Sequence, residues 1–215
     1  MNLSAPQLPP PHAVYSAVGR VRFENLFRIG RQTVAALPWE GRLQELSLEP
    51  DRVARAVASP ADPPDAWRWV FEPFIGNWVG GDLHDASRAY RHIWHPASLE
   101  GDLLSQPVMM LSEEDPGDRI MAYNFARLTA EQLELTGVVG RRAHAGFFLE
   151  EGALLWFGEE PDGWISAHAE RVWARGQLYD IRGVVFRLGP DGVQEALPSD
   201  WRYHRVAPGA IEVPE

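Results

Sequence analysis

Short strand-like segments separated by turn residues follow one another from residue 77 to residue 206. The gaps between them include the turn sequences Asp115-Pro116-Gly117-Asp118, Glu151-Gly152, Pro161-Asp162-Gly163, Arg175-Gly176 and Gly189-Pro190-Asp191-Gly192. This pattern, without a long helical period, is typical of an antiparallel meander. The predicted strands are residues 77–83, 88–95, 106–112, 118–127, 131–140, 143–150, 153–159, 163–174, 178–188 and 200–206. Because closure removes free sheet edges, we predict a mainly β fold, a closed or nearly closed antiparallel barrel of about 8–10 strands.

Residues 1–64 show helical spacing of apolar residues rather than strand-like segments. Apolar residues recur at roughly helical spacing between residues 15 and 37, although Gly19 and Gly30 interrupt them. A second helix is predicted near residues 49–58, with Asp51 in its first turn and Pro60 beyond its end. The predicted organisation is a helical or irregular extension (1–64) whose last residues read as a linker, a barrel domain (65–207) and a C-terminal tail (208–215).

Composition excludes several classes of function. The net charge is −10, so a basic surface for nucleic acid is not expected. The chain contains no Cys, and all 20 of its basic residues are Arg. It therefore has no lysine for a Schiff base or a P-loop, and no thiolate for catalysis, disulfides or zinc. Any chemistry is limited to His, carboxylate, Tyr and Arg side chains, and we predict no cofactor.

Neither a targeting segment nor a common catalytic motif is recognisable. Residues 1–14 lack the basic and apolar regions of a secretory signal, and no stretch reaches the ~18 apolar residues of a membrane span. Gly-x-Gly-x-x-Gly, Gly-x-Ser-x-Gly and His-Glu-x-x-His are absent. These observations favour a cytoplasmic bacterial protein that has no membrane partner, with a homo-oligomer possible.

The segment from Phe74 to Gly80 carries a resemblance to a known superfamily. A helical turn, then Gly76-Asn77-Trp78 and a β meander, resembles the opening of the calycins, which include lipocalins, fatty-acid-binding proteins and nitrobindin-like haem barrels. The resemblance implies a barrel around an apolar cavity, with Trp78 packed across one end. It does not imply haem, because neither a second lipocalin motif nor the nitrobindin proximal histidine is matched.

Strand alternation sorts the candidate site residues by face, since successive side chains point to opposite sides of a sheet. Two residues apart, His168 and Glu170 share a face and could form a polarised acid–base pair. The predicted catalytic residues are His168, Glu170 and His92. The predicted ligand-binding residues are Trp78, Tyr90, Trp94, Tyr123, Asn124, Tyr179 and Arg182. We expect His92, Tyr90, Tyr123, His168, Glu170 and Arg182 to line one cavity.

Three classes of function remain open. The first is binding of a small hydrophobic or aromatic ligand inside the barrel. The second is a cofactor-independent isomerase, cyclase or lyase that acts on a hydrophobic secondary metabolite through His and Glu acid–base catalysis. The third is a protein-interaction module. A metal is not predicted, because His92 and His95 face opposite sides of a strand; the one arrangement to test is His92, His168 and Glu170.

Overall fold

The computed structural model of the chain describes residues 20–39, 41–58, 71–100, 103–112, 119–127, 133–137 and 143–211. Its helices are α1 (Arg20–Thr33), α2 (Arg42–Glu45) and α3 (Pro50–Ala58), with 3-10 turns at Val34–Ala36, Glu72–Phe74 and Pro161–Gly163. Its strands are β1 (Gly76–Asp82), β2 (Ala89–Trp94), β3 (Ser98–Glu100), β4 (Leu103–Ser112), β5 (Arg119–Arg127), β6 (Leu133–Gly137), β7 (Ala143–Glu150), β8 (Ala153–Glu159), β9 (Ile165–Trp173), β10 (Leu178–Gly189), β11 (Gly192–Pro198) and β12 (Trp201–Val206).

The strand pairings form a ring. Neighbours run in the order β10, β12, β1, β2, β4, β5, β6, β7, β8 and β9, and β9 pairs again with β10. Every pairing among the described strands is antiparallel. Strand β10 closes the ring because residues 178–181 pair with β12 on one edge and residues 178–186 pair with β9 on the other. Its last residues pair with β11. The predicted mainly β barrel is therefore confirmed.

The ten predicted strands are all present, with ends that differ by up to three residues. Several turn residues between the strands adopt the positive φ angles that tight turns require. Asp162 and Gly163 have φ angles of 58° and 77°, and Gly192 has a φ of 114°. The predicted turn at 115–118, the linker beyond Ala58 and the first 19 residues of the extension lie outside the described residues. Strands β3 and β11 were not predicted.

The helices of the N-terminal region pack against the outside of the barrel. Phe23, Leu26 and Phe27 of α1 belong to one buried cluster with Phe147 of β7 and Phe157 of β8. The cluster also takes in Val53 and Val57 of α3. The helices of the extension therefore pack on the barrel wall, while the domain boundaries stay a prediction.

Polar contacts join the same helical region to the barrel wall. The guanidinium of Arg182 donates to Glu45 of α2 at 2.9 Å, and that of Arg171 donates to the Leu46 carbonyl at 2.7 Å. Arg52 of α3 forms an ion pair with Glu150 at 3.0 Å. These contacts fix the helices to strands β7, β9 and β10. Among the described helices, none is long and apolar enough to cross a membrane.

Candidate ligand-binding cavity

Cross-strand register defines the inner face of the barrel. Trp78 pairs with His92, Tyr179 with Tyr203, and Trp156 with His168. Paired residues in an antiparallel sheet project to the same side. The helices cover the opposite face, which carries Phe147 and Phe157, so the first set faces the barrel interior.

One end of the barrel is filled with aromatic side chains. Trp78 is fully buried, and its indole N–H donates to the Phe74 carbonyl at 2.8 Å. The guanidinium carbon of Arg205 lies 4.3 Å from the Trp78 ring centroid. The same guanidinium donates to the carbonyls of Ile75 at 2.7 Å and Pro73 at 3.0 Å. Trp78 is therefore buried at the filled end of the barrel between Phe74 and Arg205, and its equivalence to the calycin tryptophan stays a prediction.

The other end holds a cavity of about 640 Å³. This volume suits a small organic ligand. Its walls combine aromatic rings with aliphatic groups and a few polar side chains. They are formed by Arg88, Tyr90, His92, Met110, Glu160, Pro161, Asp162, Trp164, His168, Ile181, Val185, Leu197, Pro198, Ser199, Trp201 and Tyr203.

His168 lies in the cavity wall against a glycine. A Cβ atom on Gly183 would come within 2.1 Å of the His168 ring, so the ring occupies space that only glycine leaves open. From there Nε2 of His168 lies 3.3 Å from the hydroxyl of Ser199. Burial lowers the pKa of His168 to about 4, with Asp200 opposing and Arg88 adding to the effect. The imidazole is consequently neutral at pH 7.

His92 is more deeply placed, with 5% of its surface exposed. Its ring lies 4.4 Å from the Tyr203 ring, centroid to centroid, at an angle of 35°. Burial lowers the pKa of His92 to about 3, and its buried Nδ1 has no hydrogen-bond partner in the described part of the chain. His92 is thus a neutral imidazole with one unused hydrogen-bonding atom.

Glu170 is held inside the barrel by aromatic donors. The Tyr179 hydroxyl donates to its carboxylate at 2.9 Å, and Trp156 also hydrogen-bonds to it. Burial raises the pKa of Glu170 to about 7, and the two hydrogen bonds offset part of this rise. Burial also raises the pKa of Tyr179 and that of Tyr203. Glu170 therefore titrates near neutral pH.

The structure brings together only part of the predicted site. Of the predicted residues, Tyr90, His92 and His168 line the cavity. Trp78, Trp94 and Tyr179 do not line it; they belong to the adjoining aromatic cluster, which shares Tyr203 with the cavity wall and in which Tyr179 holds Glu170. In the described residues, no hydrogen bond joins His168 to Glu170, because Ser199 and Tyr179 are their respective partners.

The expectation that Arg182 lines the same cavity is wrong. Arg182 pairs in register with Ala169, one position away from the His168 to Gly183 pair, and so projects to the outer face. There its guanidinium, 2% exposed, forms an ion pair with Glu45. Tyr123 and Asn124 pair with Pro107 and Gln106 of β4. The structure describes the backbone of these two residues but not the burial of their side chains, so their place in the site stays a prediction.

Several cavity residues were missed from the sequence. Trp201 and Tyr203 alternate on the predicted strand 200–206, and Trp164 lies on the same predicted face as His168. That alternation was the available signal. Ser199 could not be found in this way, because it precedes β12 in the connection from β11. Among the described residues no three His, Asp or Glu side chains form a group that could hold a metal, so His92, His168 and Glu170 do not form one.

Comparison with known proteins adds little to this geometry. No family model matches the chain, and no curated protein matches it. Among solved structures, the S-type phycobiliprotein lyase CPES from Guillardia theta has a TM-score of 0.43 and 11% identity, covering 64% of this chain and 90% of that chain. Rv2717c from M. tuberculosis has a TM-score of 0.40 and 12% identity, covering 66% and 99%. Likenesses this weak carry no information about ligand or activity, and membership of the calycins stays a prediction.

Proposed function

We propose that the protein binds a small, planar and largely apolar molecule in the barrel cavity. The observation that carries this proposal is the composition of the cavity wall. Tyr90, Trp164, Trp201 and Tyr203 supply aromatic surface, and Met110, Ile181 and Val185 are among the apolar residues that complete it. Aromatic side chains favour stacked and edge contacts with planar rings.

Neutral polar groups in the wall support the same proposal. His92 and His168 are uncharged at pH 7, and Ser199 offers a hydroxyl. Such groups can orient a ligand through hydrogen bonds without demanding that it carry a charge. The ligand would then place its apolar body against the rings and a polar edge toward these residues.

The proposal is tested by titrating the protein with planar hydrophobic dyes while following tryptophan fluorescence. Trp164 and Trp201 line the cavity, so a bound dye should quench their emission. Trp201→Phe should reduce the quenching that accompanies binding while the affinity changes little. Trp173→Phe, at a tryptophan that hydrogen-bonds Asp180 away from the cavity, is the control and should leave the ligand-induced signal intact. Absence of saturable binding by any planar dye would overturn the proposal.

A second candidate is acid–base catalysis on an apolar substrate. It is favoured by two groups with shifted pKa values, the neutral His168 in the wall and Glu170, whose pKa is about 7. If the protein is such an enzyme, we expect His168→Gln and Glu170→Gln to abolish conversion of a bound substrate while its binding is kept. If no turnover is seen and the same substitutions leave binding unchanged, binding without chemistry is the better account. A cytoplasmic location and a role in protein interaction stay predictions.

A further inference from the structure

Three side chains of the cavity wall form one hydrogen-bonded row. The indole N–H of Trp201 donates to the Ser199 hydroxyl at 3.3 Å, and Nε2 of His168 lies 3.3 Å from the same oxygen. All three residues line the cavity. In the described part of the chain, the side chains of Ser199 and His168 make no other hydrogen bond. This polar row of Trp201, Ser199 and His168 therefore has hydrogen-bonding capacity left for a ligand.

The chemistry of the side chains fixes the direction of one bond in the polar row. An indole N–H can only donate, so the Ser199 oxygen accepts from Trp201. A neutral imidazole has one donor nitrogen and one acceptor nitrogen, and burial keeps His168 neutral at pH 7 by lowering its pKa to about 4. The bond between Ser199 and His168 can consequently run in either direction.

Both directions of that bond leave the same capacity free. If Nε2 of His168 donates to Ser199, the hydroxyl proton of Ser199 and the lone pair of His168 Nδ1 stay free. If the Ser199 hydroxyl donates to Nε2 instead, one lone pair of its oxygen and the proton on Nδ1 stay free. In each case the polar row presents one donor and one acceptor, separated by the imidazole ring and one hydrogen bond.

Packing against Gly183 fixes the two free positions of the polar row. A Cβ atom on Gly183 would come within 2.1 Å of Cδ2 and 2.9 Å of Nε2 of His168, so this edge of the ring lies against β10. Nδ1 belongs to the opposite edge of the ring. The backbone N–H of Ser199 donates to the Gly183 carbonyl at 3.0 Å, which ties Ser199 to the same point of β10. The row is thus ordered before a ligand binds, which favours selectivity.

From these observations we infer that the cavity selects ligands whose polar edge carries a hydrogen-bond donor beside an acceptor, as in a planar lactam. Ser199 and His168 are then the residues that determine specificity. The inference rests on the proposed function and adds the chemistry of the polar edge to it. A ligand that offers an acceptor alone would leave the free acceptor of the row unpaired and removed from water, which lowers its affinity.

The test compares two neutral three-ring probes of the same shape. They are the lactam phenanthridinone and the lactone dibenzopyranone, in which an oxygen atom replaces the N–H. Quenching of tryptophan fluorescence measures both dissociation constants, and we expect that of the lactam to be about tenfold lower. Equal or tighter binding of the lactone overturns the inference but leaves the proposed function standing. If neither probe nor any other planar dye binds, both fall.

Ser199→Ala tests whether the polar row is the source of this preference. The variant removes the central hydroxyl, so the preference for the lactam should fall from about tenfold to about twofold. The matched control is Ser87→Ala, at an exposed serine of the β1–β2 turn whose hydroxyl donates to Asp85 outside the cavity wall, and it should keep the full preference. A full preference in Ser199→Ala would overturn the inference.

Two variants of His168 provide a readout that a purely structural role would not move. Glutamine retains one donor and one acceptor, so His168→Gln should keep a preference for the lactam of about fivefold. Leucine has neither, so His168→Leu should reduce the preference to about twofold. Melting temperatures establish that both variants are folded. Equal preferences in the two folded variants would contradict a role of His168 in recognising the polar edge.

Discussion

Glu170 is a carboxyl group whose surroundings stabilise its neutral form. The barrel interior removes water from it, and the donors Tyr179 and Trp156 only partly replace that water. Its pKa is consequently about 7 in the folded protein, compared with 4.5 for an ordinary glutamate. Since the folded state binds the proton more tightly, ionisation of Glu170 destabilises the fold as pH rises from 4.5 to 7.

Glu170→Gln should remove this pH dependence. The stability of the wild type relative to the variant should fall by on the order of 3 kcal/mol between pH 4.5 and pH 8. Chemical unfolding at several pH values measures the difference, and the contributions of His92 and His168 cancel because both proteins contain them. Glu195→Gln, at an exposed position, should show no such trend. A pH-independent difference for Glu170→Gln would contradict the assignment.

Arg205 closes the filled end of the barrel through several contacts at once. Its guanidinium donates to the carbonyls of Pro73, Ile75 and Gly176 and covers the ring of Trp78. Arg205→Met should therefore lower the free energy of unfolding by about 2 kcal/mol.

Arg187→Met is the matched comparison for Arg205→Met. Arg187 also lies over a tryptophan, at 4.5 Å, but among the described residues it makes no comparable set of carbonyl hydrogen bonds. Its loss should cost less than about 1 kcal/mol. Urea denaturation of both variants measures the two effects, and equal losses would show that Arg205 contributes only its stacking contact.

At the scale of elements, the fit of α1 on the barrel depends on close approach. A Cβ atom on Gly30 would lie 2.9 Å from the ring of Phe157 and 3.0 Å from that of Phe147. Glycine, which interrupts the helical pattern in the sequence, is thus required by packing rather than by backbone conformation. It lets α1 lie directly on β7 and β8.

Gly30→Leu should destabilise the protein by about 1–3 kcal/mol, although leucine favours a helix by up to about 1 kcal/mol. Overpacking outweighs helix propensity because the two phenylalanine rings are fully buried. The control is Gln32→Leu on the exposed side of α1, which should change stability by less than about 0.5 kcal/mol. Thermal unfolding compares them, and a more stable Gly30→Leu protein would rule out the proposed close packing.

The sequence predicts most elements because their signals are local. Turn residues such as Asp162 and Gly163 mark strand ends, and alternation marks strands. The two missed strands lack such signals: β3 has three residues, and β11 is a mostly exposed strand at the edge of the sheet with polar residues and a final proline. Helix α2, four residues long, is too short for a helical period.

At the scale of the whole molecule, the site was harder to predict than the fold. Alternation correctly groups His168 with Glu170 on one face, but it does not tell at which height along the barrel each residue lies. His168 borders the cavity, whereas Glu170 is held by Tyr179, a member of the filled aromatic cluster. Arg182 is predicted to line the cavity, but its register places it on the outer face, where it pairs with Glu45 of α2. The height of a residue along the barrel and the face on which it lies depend on pairing between strands that are far apart in the sequence.

The measurement that tests the central claim most directly is binding of a planar dye to a protein whose cavity has been narrowed. Val185 of β10 lines the cavity, so Val185→Trp should place an indole ring in it, while Leu188→Trp alters an exposed position of the same strand. With a planar dye that binds the wild type saturably as the probe, the account predicts at least a tenfold loss of affinity for Val185→Trp and unchanged affinity for Leu188→Trp. Equal affinity of the folded Val185→Trp protein and the wild type would contradict a ligand site inside the barrel.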